Sequence, residues 1–280
     1  MRPELAEKHQ RLRNLLAGMD GVVVAYSGGV DSTLLLKVAH DVLGERALAV
    51  TARSETYPAQ EVEEAVALAR QLGVRLRLIE TAELELEQFA SNPPERCFYC
   101  KGELFGKLVE IAGEEGLPVV ADGSNVDDTG DFRPGMKAAA ELGVRSPLRE
   151  VGLTKAEVRE LSRELGLPTW DKPSFACLAS RFPYGDRITP EALHQVAAAE
   201  ALLRELGVRQ VRVRHHGQLA RIEVEPEALP DLVAPDRRAR ITEGFRRLGY
   251  LYVTLDLEGY RTGSMNAPLA AAEPRKTTPE

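Results

Sequence analysis

Seven residues, Tyr26 to Ser32, read "YSGGVDS" and constrain the fold of this chain more than any other stretch. Before them stands "GVVVA", apolar and β-branched as a fully buried strand requires; after them "TLLLKVAHDVL" sets apolar residues at helical spacing. A glycine pair at that junction predicts a strand–loop–helix unit whose loop takes an anion, because the first N–H groups of a helix lack partners and its dipole favours negative charge. Gly28 and Gly29 let backbone N–H groups approach a phosphate, Ser27 and Ser32 add hydroxyl donors, and Asp31 supplies a carboxylate for magnesium. The plainer alternative is a tight turn capped by serine or aspartate. A Walker A loop runs G-x-x-x-x-G-K-[ST], and no lysine lies between Gly28 and Thr33, so γ-phosphoryl transfer is not the expected chemistry.

The same alternation continues along the first half. An opening helix is expected over Leu5–Leu16, strands near Val22–Ala25, Ala47–Thr51, Arg75–Ile79 and Pro118–Ala121, and helices beginning near Ser32, Pro58 and Cys100. This predicts an α/β fold with a doubly wound, mostly parallel sheet. "TKAEVRELSRELG" adds a helix with a Thr154 cap and the Glu157 of a capping box. "PTWDKPSFACLASRFPYGDRITP" has no periodicity and is expected to be a long functional loop. Beyond it, a helix from Pro190 to Leu206, strands "QVRVRHH" and "LARIEVE", a helix from Pro235 to Leu248 and the strand "YVTLDL" predict a second, smaller α+β domain. The expected boundaries are 1–184, 185–266 and a disordered tail over 267–280.

A chain of 280 residues with 44% hydrophobic content can bury two such cores. Its net charge of -7 argues against non-specific nucleic-acid binding. Three cysteines make no disulfide framework, no secretory signal pattern opens the sequence, and no run approaches the ~20 apolar residues of a membrane span, so a reducing cytoplasm is expected.

Three further clusters carry candidate chemistry. "ADGSNVDDTGDFRPG" follows a predicted strand, where Asp127 and Asp128 could share magnesium with a triphosphate and Arg133 could contact phosphate; a polar turn capped by Asn125 is the alternative. Cys97 and Cys100 form "CFYC", and Cys177 lies in the long loop. Such a set fits a redox dithiol, part of a zinc site, part of an iron–sulfur site, or buried apolar residues. In "QVRVRHH" a period of two sets Arg212 and Arg214 on one face and Val211 and Val213 on the other, which fits either a phosphate clamp or a solvated strand face.

The loop "SGGVDS" at a strand–helix junction resembles that of the ATP-pyrophosphatase (PP-loop) superfamily, with its adenine nucleotide alpha hydrolase-like fold, which includes GMP synthetases, NAD synthetases and tRNA-thiolating enzymes. Its members split ATP between the α- and β-phosphates and transfer AMP. The resemblance implies an ATP site at Ala25, Ser27, Gly28, Gly29, Asp31, Ser32, Gly123, Asp127, Asp128 and Arg133, with Asp31 on magnesium. "AYSGGVDSTLLLKVA", "RCFYCKGELF", "DGSNVDD", "RPGMKAAAELGVRSPL", "KPSFACLASRFPYG" and "VRVRHHGQLARIEV" together resemble the LarE family, the ATP-dependent sulfur transferases of nickel-pincer-nucleotide biosynthesis, from roughly Leu5 to Tyr260.

That resemblance implies adenylation of the carboxylates of pyridinium-3,5-biscarboxylic acid mononucleotide and their conversion to thiocarboxylates. Sulfur comes in one type from a sacrificed cysteine matching Cys177, and in the other from sulfide, or a sulfur-donor protein, relayed through a [4Fe–4S] cluster on Cys97, Cys100 and Cys177. All three cysteines are present, so the cluster type is expected. Matching positions further imply Arg212 and Arg214, together with Ser180 and Arg181 from the loop, on substrate phosphate near the reactive cysteine, and metal binding at Glu200, Glu223 and Asp231. Arg181, four positions after Cys177, is expected to favour its thiolate. A homo-oligomer is expected. A tRNA thiolase is the alternative function, opposed by the acidic balance and the lack of further cysteines.

Overall fold

The computed structural model describes residues 1–130, 134–261 and 263–266. The chain divides into two compact units, Met1–Phe175 and Ala176–Glu280.

In the first unit α1 (Pro3–Ala17), β1 (Val22–Ala25), α2 (Val30–Leu43), β2 (Ala47–Arg53), α3 (Ala59–Gln71) and β3 (Arg75–Glu80) alternate. A one-turn α4 (Glu87–Ala90) leads to α5 (Arg96–Glu115), β4 (Val119–Ala121), α6 (Pro134–Glu141), the one-turn α7 (Pro147–Glu150) and α8 (Lys155–Glu164). The four strands are parallel in the order β3-β2-β1-β4. Order therefore reverses at β1. The carboxyl ends of β1 and β4 flank the crevice in which open parallel sheets take their ligands.

Burial explains why β1 has no polar residue. Val22 and Val24 pack into a cluster with Leu34, Leu35 and Val38 of α2, whereas Val23 packs with Leu48, Val50, Leu104 and Leu108 on the other side. At the edge, β3 alternates Arg75, Leu76, Arg77 and Leu78, and its arginines pair with Glu115 and Glu114. Charge on an edge strand discourages pairing with another chain. The capping box at Thr154 and Glu157 forms as expected.

One helix starts earlier than its apolar periodicity suggests. The helix expected near Cys100 begins at Arg96, because that arginine is itself buried and donates from Nη1 to Asn92 Oδ1, which extends the helix through the cysteine pair.

The second unit comprises a 3₁₀ turn (Leu178–Arg181), α9 (Pro190–Glu205), β5 (Val211–His216), β6 (Leu219–Val224), the one-turn α10 (Leu229–Leu232), α11 (Pro235–Arg247) and β7 (Tyr252–Leu255). β5 and β6 are antiparallel, and β7 runs parallel to β6. Val211 and Val213 enter a core with Leu203, Ile222 and Phe245. Arg212 and Arg214 take the opposite face of β5 and are nonetheless buried, each 4% exposed, so that face is not a solvated one.

The division falls at Phe175, short of the expected 184. The reason is Arg181: fully buried, it pairs with Glu200 of α9 and fastens the 3₁₀ turn and Cys177 to the second unit. Among the described residues no helix is long and apolar enough to cross a membrane. The tail expected over 267–280 lies outside the described residues.

Candidate functional site

The glycine pair shapes the loop after β1. Gly28 has φ +69°, and a Cβ there would stand 2.7 Å from Cβ of Ala65 on α3, so both its conformation and its neighbour call for glycine. Ser27 Oγ and Ser32 Oγ lie 3.1 Å apart, and Gly29 N–H donates to Ser27 Oγ at 3.4 Å. Ala25 ends β1 and is half-buried.

Asp31, in the first turn of α2, is held by two residues remote in sequence. Asn125 Nδ2 donates to its Oδ1 at 3.0 Å, and the Lys155 ammonium forms a salt bridge with its Oδ2. Asn125 comes from the loop after β4 and Lys155 from the first turn of α8. The two loops approach so closely because residue 123 is glycine: a Cβ there would lie 2.9 Å from Ser32 N and 3.1 Å from the carbonyl carbon of Asp31.

Asp127 and Asp128 serve this second loop itself. Asp127 Oδ2 accepts from Lys155 N–H at 2.7 Å, Asp128 Oδ2 accepts from Asn125 N–H at 2.9 Å, and Asn125 Oδ1 accepts from Asp127 N–H at 2.9 Å. Asn125 thus both caps the turn and reaches Asp31. Arg133 lies outside the described residues. Carboxylates are the hard oxygen donors that magnesium takes, and here each of the three accepts a hydrogen bond from its own neighbours.

Sequence reasoning missed Lys155 as a site residue. The signal was its position, since a cation in a helix's first turn opposes the helix dipole and needs a compensating carboxylate. Asp31 provides it for the ammonium, while Asp127 takes the backbone N–H of Lys155.

Cys97 and Cys100 sit on adjacent turns of α5, three residues apart and therefore on one face, with Cys97 half-buried and Cys100 buried. Cys100 Sγ lies 3.8 Å from Oε1 of Glu83, a carboxylate only 1% exposed that also accepts from Thr81 Oγ1 at 3.0 Å. Nothing in the sequence pattern pointed to Glu83.

In the second unit Cys177 stands at the N-cap of the 3₁₀ turn and is half-buried. The guanidinium of Arg181 does not face outward beside the thiol. Its Nε and Nη2 donate to Glu200 Oε1 and Oε2 at 2.7 and 2.9 Å, while Nη1 donates to the carbonyls of Ala176 and Cys177 at 2.8 and 3.1 Å and to Ser180 Oγ at 2.9 Å. Its charge is matched by a carboxylate, and the side chain holds the backbone on which Cys177 stands.

Burial alone would raise the pKa of Glu200, but the charge and hydrogen bonds of Arg181, with Arg212 and Arg204 behind, hold it below the usual carboxylate range. Arg212 is pushed down to about 10, first by burial and then by Arg181, against the pull of Glu200. Its guanidinium lies over the Tyr260 ring, 5.2 Å from the centroid. Arg214 donates to Glu223 Oε2 at 2.5 Å and to the Ser180 carbonyl at 3.0 Å. The three buried arginines, Arg181, Arg212 and Arg214, face two buried glutamates, Glu200 and Glu223.

The three carboxylates expected to bind metal are each paired with arginine. Glu200 and Glu223 are each engaged by arginines, and Asp231 is exposed and paired with Arg237 at 2.8 Å. Among the described residues no three His, Cys, Asp or Glu side chains converge as a metal site.

A parallel sheet with a glycine-pair loop at its switch point, lacking a lysine in that loop, defines a nucleotide-binding protein of the PP-loop class. The NAD synthase family profile matches residues 6–94. The chain is 42% identical over 271 residues to the pyridinium-3,5-bisthiocarboxylic acid mononucleotide synthase of Lactiplantibacillus plantarum, covering 96% of this chain and 97% of that protein. It is 48% identical over 265 residues to an uncharacterized protein of Synechocystis, covering 95% and 99%. A chain of the glutamine-hydrolyzing GMP synthase of Methanopyrus kandleri is 30% identical over 209 residues, 65% of this chain and 62% of that protein. The chain belongs to the LarE family, that of the L. plantarum synthase.

Proposed function

We propose that this protein is an ATP-dependent sulfur transferase that acts on pyridinium-3,5-biscarboxylic acid mononucleotide. A substrate carboxylate attacks the α-phosphate of ATP and pyrophosphate leaves; sulfide then attacks the acyl adenylate and AMP leaves, giving a thiocarboxylate. A second round gives the bisthiocarboxylate named in the L. plantarum relative, the nickel-binding ligand of the pincer cofactor. The observation that carries this reading is the meeting of Asp31, Asn125 and Lys155 at the β1/β4 switch point.

Each residue there has a role in splitting ATP at the α–β bond. Backbone N–H groups of Gly28 and Gly29, with the hydroxyls of Ser27 and Ser32, take the pyrophosphate. Lys155, which now neutralises Asp31, supplies from α8 the cation that the loop lacks. Magnesium, held through Asp31 with Asp127 and Asp128 nearby, would screen the triphosphate charge.

In the second unit the neighbouring guanidiniums of Arg212 and Arg214 on one face of β5 suit the substrate phosphate. Arg181 and Ser180 fix the backbone at Cys177. Cys97 and Cys100, on one helical face, would hold two corners of a [4Fe–4S] cluster, and the third thiolate, Cys177, is assigned by the sequence resemblance alone. If these thiolates held a cluster, it would supply the sulfide for attack on the acyl adenylate.

The test is anaerobic incubation with ATP, magnesium, the biscarboxylate mononucleotide and sulfide. Equal release of AMP and pyrophosphate, with thiocarboxylate in the product, is expected. ADP as the main product overturns the reading.

A further inference from the structure

Arg214 is 4% exposed, and its donors are unequally matched. Nη1 donates to the Ser180 carbonyl at 3.0 Å, and Nη2 donates to Glu223 Oε2 at 2.5 Å and to Ser264 Oγ at 2.9 Å. Its Nε is buried and, among the described residues, meets no acceptor. A buried charged donor left without a partner is costly. Nε and Nη2 share one edge of the guanidinium, the edge that takes an oxyanion by two parallel hydrogen bonds. One donor of that edge is orphaned and the other is shared by Glu223 and a serine hydroxyl.

That serine comes from the chain after β7, which is anchored against β6. Tyr260 N–H donates to the Val224 carbonyl at 2.7 Å, and Gly259, with φ +71°, approaches the same carbonyl so closely that a Cβ would stand 2.7 Å from it. Tyr260 then meets Arg212, and Ser264 meets Arg214. Ser264 is half-buried, and its hydroxyl lies 3.3 Å from both oxygens of Glu223.

We propose that Ser264 is an exchangeable ligand of Arg214. In the ligand-free protein its hydroxyl occupies the place on Nη2 that an oxyanion oxygen takes. An incoming phosphomonoester displaces it and gains the orphaned Nε as its second donor. The serine leaves rather than Glu223, because the glutamate is charged and also accepts from Arg221 at 3.1 Å, whereas the hydroxyl is neutral. Affinity at this site is therefore set by competition inside the protein. This rests on Arg212 and Arg214 forming the phosphate clamp.

Calorimetric titration of the full chain with nicotinamide mononucleotide, and separately with inorganic phosphate, tests the exchange. Ser264→Ala removes the competitor and should tighten both ligands roughly three- to tenfold, the range for one net hydrogen bond. Ser264→Asp places a carboxylate against Arg214 and should weaken both at least as much. Unchanged or weaker binding in Ser264→Ala overturns the exchange, as does a wild-type chain that binds neither ligand and is not restored by Ser264→Ala. Arg214→Ala separates the two ideas: binding that survives it undoes the clamp, whereas binding lost in Arg214→Ala but unmoved in Ser264→Ala undoes only the exchange.

Discussion

Asn125 donates from Nδ2 to Asp31 Oδ1 at 3.0 Å across 94 positions of chain. One hydrogen bond thereby joins the loop after β1 to the loop after β4, and Lys155 completes the contact from α8. Whatever binds the glycine pair meets three separate parts of the chain at one point.

Asp31→Asn keeps the shape of the side chain and removes its charge. Turnover, followed as pyrophosphate release, should fall by at least ~10²-fold, on the order of the loss of one electrostatic stabiliser of a reaction. Asp31 and Lys155 are partly exposed, so the fold should lose no more than ~1 kcal/mol. A variant with full activity, or one that does not fold, would sink the assignment.

Lys155→Met keeps the aliphatic stem and removes the ammonium. If Lys155 faces the pyrophosphate, kcat/KM for ATP should drop roughly 10- to 100-fold, as for a lost hydrogen bond to a charged group, with Lys155→Arg recovering part of it. Affinity for the mononucleotide should stay unchanged. Equal losses for both substrates would show that the lysine only maintains the fold.

Gly123→Ala probes the closeness of the two loops. Its new methyl group would meet the backbone at Ser32 and Asp31, which cannot swing aside as a side chain can. The loop after β4 must move, taking Asn125 from Asp31, at a cost of about 1–3 kcal/mol in stability. ATP affinity should fall by more than tenfold in direct binding measurements. Normal ATP binding would mean that Asn125 is dispensable.

Glu200 gives the second unit an acid limit. Its folded pKa lies below its unfolded value, so its contribution is complete above the usual carboxylate range and is lost as pH falls through the folded pKa. Glu200→Gln leaves Arg181 fully buried without its counter-charge and should destabilise the protein by about 3–5 kcal/mol at neutral pH. Urea unfolding at pH 7 and pH 4 measures both effects. The variant should lose much of the wild-type difference between the two pH values, and an equal difference would disprove the link.

Intact mass after turnover separates the two sulfur routes. A relayed sulfide leaves the chain unchanged, whereas sacrifice of Cys177 removes about 34 Da as the thiol becomes dehydroalanine. With added sulfide, Cys97→Ser, Cys100→Ser and Cys177→Ser should each abolish multiple turnovers. Full activity in the Cys97→Ser, Cys100→Ser double variant, together with the mass loss, would make Cys177 the donor.

Local pattern determined the alternating elements of the first unit, the glycine-pair loop at Gly28 and Gly29, the capping box at Thr154 and the faces of β5. Each depends on neighbours a few residues away, through side-chain period, φ preference or a short-range hydrogen bond. Tertiary structure alone decided the rest. Lys155 reads as an ordinary helix residue until α8 brings it to Asp31, and Glu83 as surface charge until it is buried against Cys100. Arg181 looked like a cation for a thiol, yet Glu200 turns it inward to hold the backbone instead. Charges interact through space and change their role with burial, so their partners come from the packing of distant elements and not from spacing along the chain.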